Sequence, residues 1–249
     1  MSPFVEHSFI VISCLFAMPQ TLLIIGDVHG CYFTFRALVE TYWQPDSMRL
    51  IQLGDLTDRG RFVPDTIEFA RQLEAKHHEQ VTFLKGNHEA MVLEYWKAMR
   101  ETTPPIAKLY SRKNSTLSQY YADPELLQRL PEDMKWLGKR PLFWENDHVF
   151  VSHAGIAERW NTIKEALIPD HEENILWTRS KLKNIGKLQV IGHTPLLTGE
   201  PEFREAENCW NVDTAAVFGL NLTALHLALD GTVLDTFCVP SKHVDYHLS

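Results

Sequence analysis

Three short apolar runs, each closing on glycine and then a carboxylate or amide, constrain the fold of this chain more than any other feature. Residues 22–25 lead into Gly26-Asp27, residues 50–53 into Gly54-Asp55, and residues 81–84 through Lys85 into Gly86-Asn87. Apolar runs of this length bounded by turn formers read as buried strands. Helical patterns lie between and after them, at residues 33–41, at 64–76 with Pro64 suited to a first turn, and from near Glu89 toward Arg100. The alternation predicts β-α units, a largely parallel sheet and an α/β fold. Residues 149–152 and 188–191 are again strand-like, and residues 209–238 read as strands joined by the Asp230-Gly231 turn. Between these halves, Pro104, Pro105, Pro124 and Pro131 break up residues 101–138, which contain a helical stretch at 125–130. This reads as a helical insertion beside the site, of the kind that sets substrate choice on a fixed scaffold.

With 249 residues, 45% of them hydrophobic, the chain can bury a sizeable core without dividing into domains. A net charge of −8 excludes broad electrostatic capture of a nucleic-acid polymer or an anionic membrane surface, so any phosphate-binding charge must be local. Cys14, Cys31, Cys209 and Cys238 form no C-x-x-C pair, which argues for neither a disulfide framework nor a zinc ribbon and points to a reducing cytoplasm. The apolar residues 9–18 lack the basic start of a signal peptide, since no Lys or Arg precedes Arg36, and they are too short to span a bilayer. Residues 1–17 are therefore expected to be an N-terminal extension, or alternatively an extra edge strand, and residues 18–249 one catalytic domain.

The strand ends carry the chemistry. Asp27 and His29 stand two residues apart, where β periodicity puts both side chains on one face. The second end reads Gly54-Asp55-Leu56-Thr57-Asp58-Arg59-Gly60 and the third Gly86-Asn87-His88-Glu89. Two later strands end in His153-Ala154-Gly155 and Gly192-His193-Thr194-Pro195. Singly, Asp55 or Asn87 reads as a turn or helix cap, and His153 or His193 as a hydrogen-bonded core residue. Together, at strand ends that converge on one crevice, they supply two Asp, one Asn and three His, enough for two ions sharing one carboxylate.

The ordered series G-D-x-H-G, G-D-x-x-D-R-G, G-N-H-E, H-A-G and G-H, over about residues 22–193, resembles the phosphoprotein phosphatase branch of the metallophosphoesterases. It is most similar to compact bacterial and phage serine/threonine phosphatases and their diadenosine tetraphosphate hydrolase relatives. The resemblance implies a metal-centred α/β fold built on a β-sandwich flanked by helices. It further implies Asp27, His29 and Asp55 as ligands of a first metal, and Asp55, Asn87, His153 and His193 as ligands of a second, with Asp55 the bridge. It places His88 beside the leaving-group oxygen with Asp58 holding its ring, and Arg59, Asn87 and Arg179 at the phosphate, Arg179 through the stretch Trp177-Thr178-Arg179-Ser180. Lys85 departs from relatives that carry arginine before G-N-H-E, and lysine cannot form a bidentate fork there. Trp177 is expected to pack in the core, although its neighbourhood would also suit base stacking.

Two ions sharing a carboxylate can lower the pKa of a water, orient a phosphate and neutralise charge during in-line displacement, with no covalent phosphoenzyme. A cysteine nucleophile has no support, because only four residues separate Cys31 from Arg36 where a phosphate loop needs five. Mixed imidazole and oxygen donors suit manganese, iron or zinc alike, and the resemblance favours manganese. The leading expectation is a serine/threonine-type phosphomonoesterase acting on a phosphorylated protein; the alternative is a dinucleoside polyphosphate hydrolase. An inactive scaffold of the same fold is disfavoured, since no ligand or acid position is broken. Chelation is expected to abolish turnover and Mn2+ to restore it; full turnover in a preparation shown to be metal-free would refute the mechanism.

Overall fold

The computed structural model describes residues 20–101, 115–169 and 171–246; the extension or edge strand expected at residues 1–17 lies outside them. Strands β1 (Thr21–Ile25), β2 (Met48–Gln52) and β3 (Val81–Phe83) run parallel, with α1 (Tyr32–Tyr42) and α2 (Val63–Lys76) as their crossovers. Helix α3 (Asn87–Glu101) follows, then α4 (Ser115–Ala122) and α5 (Pro124–Gly138) of the insertion. A second sheet takes β4 (Phe143–Glu145), β5 (Val149–Ser152), β6 (Leu188–Ile191), β7 (Glu202–Arg204) and β8 (Cys209–Asn211) in the order β4-β5-β6-β8-β7, with the short α6 (Ile163–Ala166) between β5 and β6. The hairpin β9 (Asn221–Ala228) and β10 (Val233–Pro240) returns to the first sheet, whose order is β10-β9-β1-β2-β3.

The expected largely parallel sheet is thus two mixed sheets. Each keeps three parallel strands side by side and adds antiparallel ones. Of the 209–238 run, β8 joins the second sheet, while the Asp230-Gly231 turn closes the β9–β10 hairpin with Gly231 at φ 88. The sandwich and its flanking helices are those implied by the resemblance.

Strand periodicity explains why β1 is apolar from Leu22 to Ile25. Leu22 and Ile24 point into the layer between the sheets, against Ile51, Val149, Val151, Val190 and Leu225, whereas Leu23 and Ile25 face α1 through Phe35 and Leu38. A strand covered on both faces loses the polar half of its alternation. The strand ends at one edge of this rigid layer are then held in a fixed relation.

Helix α1 has no side-chain cap of its own. The C-terminal turn at His243–Asp245 supplies one: the buried Asp245 carboxylate accepts from Phe33 N at 3.0 Å, Thr34 N at 2.8 Å and Thr34 Oγ1 at 2.6 Å. A carboxylate there satisfies orphan amides and opposes the positive end of the helix dipole. The chain end near His243, which reads in sequence as a solvent-exposed tail, is tied down by this contact; His247 lies outside the described residues.

Pro131 does not end the insertion helix as the sequence implies; it sits on the exposed side of α5. The opposite side buries Leu130, Met134 and Leu137 against Val63, Ile67, Val92, Leu117 and Tyr120, and this packing outweighs the few kcal/mol an internal proline costs. Fully buried Asp133 fastens α5 to its neighbours, pairing with Arg71 of α2 and accepting from Tyr120 Oη of α4 at 2.6 Å. Removing it leaves the buried Tyr120 hydroxyl without its acceptor, while the partly exposed Arg71 turns to water, so Asp133→Ala is expected to cost about 1–3 kcal/mol, read as a lowered midpoint in urea denaturation.

Candidate metal centre

Backbone hydrogen bonds stitch the first two strand-end loops together. Val28 N and His29 N donate to Asp55 O at 3.1 and 2.7 Å, Gly30 N to Leu56 O at 3.0 Å, and Gly60 N to His29 O at 2.9 Å. The third strand end opens α3 directly, so Asn87, His88 and Glu89 form a first helical turn rather than a loop. His153 and His193 come from β5 and β6, which carry imidazoles across from the second sheet.

Asp55 stands at the middle. Its Oδ2 lies 3.4 Å from His29 Nε2 and its Oδ1 3.5 Å from His153 Nε2, so each oxygen faces an imidazole from a different sheet. Asp27, Asp55 and His153 offer donor atoms within 4.8 Å of one another, and so do His29, Asp55 and His88. Asn87 Oδ1 completes the group, 2.8 Å from His153 Nε2 and 3.0 Å from His193 Nδ1. All six residues named from the sequence as ligands therefore meet, each buried to 5% exposure or less.

The chemistry of this donor set fits divalent cations. His29 Nδ1 donates to Thr57 O at 2.7 Å, His153 Nδ1 to Leu53 O at 3.1 Å, and His193 Nε2 to Trp177 O at 3.2 Å. Each ring thereby keeps its other nitrogen as a lone pair aimed inward, the arrangement that orients metal-binding histidines. Burial keeps the rings neutral, holding His153 down to about 3 and His193 to about 2, the latter helped by His153 and Arg179. Burial also pushes Asp55 up to about 6, and it holds Asp27 well above the usual carboxylate range, with Asp213 and Asp55 adding repulsion. Lone pairs and crowded carboxylates facing one small space are what a bound cation relieves. The space is cut to size: a methyl at Gly86 would meet Asp55 Oδ1 at 2.1 Å, and one at Gly192 would meet Asp27 Oδ1 at 1.9 Å.

Of seven non-glycine residues with positive φ among those described, five belong here: His29, Asp55, Asp58, Arg59 and His193. Such backbone persists only where its surroundings over-determine it. For three of them the restraint lies within the centre: His29 N bonds Asp55 O, Asp55 N bonds Glu89 Oε2 at 2.7 Å, and His193 N bonds the Asp27 carboxylate at 3.1 Å.

The remaining expected site residues fall around this group. His88 Nδ1 donates to Asp58 Oδ2 at 2.8 Å, while its Nε2 lies 3.2 Å from Arg59 Nη2. Burial alone would lower the His88 pKa, but the Asp58 hydrogen bond and the nearby carboxylates carry it upward. Arg179 is exposed and donates to Thr194 Oγ1 at 3.2 Å, beside His193. Lys85 is not aimed at the centre; its ammonium donates to Gly138 O at 3.1 Å and anchors the end of α5. Trp177 packs half-buried against the cluster around Phe150 and Ile175, as expected, and its ring also stands 6.4 Å from that of His193. Cys31 is buried at the start of α1, where burial raises its thiol pKa.

Two residues here carry no assignment in the sequence reading. Buried Asp213, on the loop after β8, repels Asp27; burial pushes its own carboxyl up to about 7. Glu89, fully buried, accepts five donors: Gly86 N, Asp55 N, Leu56 N, Thr57 N and Thr57 Oγ1, at 2.7 to 3.1 Å. Its signal was its place in Gly-Asn-His-Glu, three residues past the glycine whose amide it accepts. Glu89→Gln swaps one acceptor oxygen for a donor amide and is expected to weaken Mn2+ binding by about 10–100-fold, as loss of an outer support does, in a calorimetric titration. An unchanged isotherm would show that Asp55 needs no such support.

Comparison with known proteins agrees with this geometry. Residues 20–228 match the model of the calcineurin-like phosphoesterases. A Bacillus cereus protein named bis(5'-nucleosyl)-tetraphosphatase PrpE (asymmetrical) is 27% identical over 245 residues, spanning 88% of this chain and 94% of its own length. A crystal structure provisionally named as a diadenosine tetraphosphatase superposes with a TM-score of 0.63 at 17% identity, covering 91% of this chain and 97% of the other. A Saccharomyces cerevisiae protein serine/threonine phosphatase shares the fold with a TM-score of 0.61 at 15% identity, over 91% and 82% of the two chains. With the family model matched over most of its length and the strand-end residues gathered around Asp55, the chain belongs to the calcineurin-like phosphoesterases, hydrolases built on a binuclear divalent metal centre.

Proposed function

We propose that this protein is an asymmetrically cleaving dinucleoside tetraphosphate hydrolase, with Asp27, His29 and Asp55 holding one divalent ion and Asp55, Asn87, His153 and His193 the other. One observation carries the substrate class: the curated relatives with that name align along nearly the whole of both chains. The phosphoprotein reading that leads on sequence motifs alone becomes the second choice, because its structural neighbour shares only the fold.

Two bound ions would supply the low-pKa water and the positive charge that in-line attack on phosphorus requires. The chain's own side chains do the rest. Arg59 would leave His88 for a non-bridging phosphate oxygen, a contact its planar fork suits. That frees His88 Nε2 to carry a proton to the departing oxygen, while Asp58 fixes the ring through Nδ1. Arg179, exposed and bonded to Thr194 beside His193, would receive the outer phosphates. Water adds to one phosphorus, one P–O–P bridge breaks, and a nucleoside monophosphate and a nucleoside triphosphate leave. An anhydride oxygen is a better leaving group than a serine alkoxide, so this reaction asks less of His88 than phosphoprotein hydrolysis does.

Mn2+-supported turnover of diadenosine tetraphosphate, a phosphoserine peptide and a phosphotyrosine peptide tests the reading under one set of conditions. A preference for the dinucleotide of about 100-fold or more in kcat/KM, ~2.7 kcal/mol, is expected, with AMP and ATP as products. A reversed preference would return the protein to the phosphoprotein phosphatases, and two ADP would contradict the cleavage pattern.

A further inference from the structure

Asp58 and Arg59 are consecutive residues in left-handed backbone, at φ 65 and 68. L-residues avoid this conformation, arginine more than aspartate, and neither residue is a glycine. The atoms that hold this pair come from the helical insertion. Asp58 N donates to Thr116 Oγ1 at 2.9 Å, and Arg59 N donates to Ser115 Oγ at 2.7 Å. Thr116 returns the contact, its hydroxyl donating to Asp58 Oδ1 at 2.6 Å and its amide to the same oxygen at 3.2 Å, with Ser115 Oγ at 3.4 Å. One helical turn on, Gln119 Nε2 donates to Gly60 O at 2.8 Å, and Gln119 Oε1 accepts from Val63 N at 2.9 Å. One face of α4 thus grips the loop along its length from Asp58 to Val63.

We propose that Ser115 and Thr116 are positioning residues of the hydrolytic reaction, which lock Asp58 and Arg59 in their strained turn and make the insertion part of the catalytic apparatus. The division of the Asp58 carboxylate supports this. Thr116 engages Oδ1 and leaves Oδ2 to receive His88 Nδ1 at 2.8 Å. Thr116 is fully buried and Asp58 6% exposed, so solvent does not substitute for the hydroxyl. Rotation of the carboxylate would swing the imidazole off the leaving group, and relaxation of Arg59 would withdraw the phosphate clamp. Displacements near 1 Å at such groups cost about 100-fold in rate.

The test uses the Mn2+-loaded full chain with two aryl phosphates of different leaving-group basicity, 4-nitrophenyl phosphate and phenyl phosphate. These probes do not depend on which natural ester or anhydride is cleaved, so the inference can fail while the substrate assignment stands, and the reverse. Thr116→Val keeps the shape and removes the hydroxyl. It is expected to lower kcat about 10–100-fold on phenyl phosphate and several-fold less on 4-nitrophenyl phosphate, whose leaving group needs little protonation, with KM within about twofold. Thr116→Ser is expected to restore the rate. In metal-free protein the His88 Nδ1 proton resonance, assigned by its loss in His88→Asn, is expected to shift in Thr116→Val and return in Thr116→Ser. Should Thr116→Val fail to fold, Ser115→Ala reports through Arg59 instead, with an expected rise in KM of about tenfold at nearly constant kcat. Equal losses on both aryl phosphates, an unmoved His88 resonance, or unchanged kinetics in Ser115→Ala would overturn the proposal.

Discussion

Beneath the centre, the Glu89 carboxylate gathers amides and a hydroxyl from two loops, and the placement of everything above depends on it. Burying a carboxylate costs several kcal/mol unless its lone pairs are satisfied, and here five donors satisfy them. The return is geometric. With its amide held, Asp55 stays at φ 56, and from that conformation its two oxygens face His29 and His153. A relaxed backbone at Asp55 would aim the carboxylate elsewhere and leave both imidazoles without it.

The same logic recurs around the centre: backbone that L-residues avoid is held by side chains from distant parts of the chain. The Asp27 carboxylate holds His193, Glu89 holds Asp55, and the hydroxyls of α4 hold Asp58 and Arg59. Each restraint ties a chemically active residue to a different element. The layer of Leu22, Ile24, Ile51, Val151 and Val190 keeps the two sheets from sliding, so the restraints act on a fixed frame.

Legibility in the sequence followed the range of the interaction. Strand β1, the span of α2 and the convergence of Asp27, Asp55, Asn87 and the histidines were readable, because apolar periodicity and strand-end motifs are local signals repeated several times. Lys85 was readable as a cation but not as an anchor for α5, since its partner is a backbone carbonyl more than fifty residues away. Strands β4 (Phe143-Trp144-Glu145) and β7 (Glu202-Phe203-Arg204) are partly charged and hold no apolar run like the one at β3. The roles of Thr116 and Asp245 had no local trace either: a threonine and an acid late in the sequence are ordinary until their distant partners are placed. Pro131 misled because helix propensity is weak against a buried face.

The order of strands in the first sheet has a consequence for folding. Strand β1 pairs with β9 across about 200 residues of sequence, Thr21 with Ala228 and Ile25 with Ala224. Until those distant segments meet, one edge of the apolar run Leu22 to Ile25 keeps its backbone donors and acceptors open to any extended partner. Closing so long a loop is slow beside the formation of local contacts, which makes this seam the place where a folding chain is most open to aggregation.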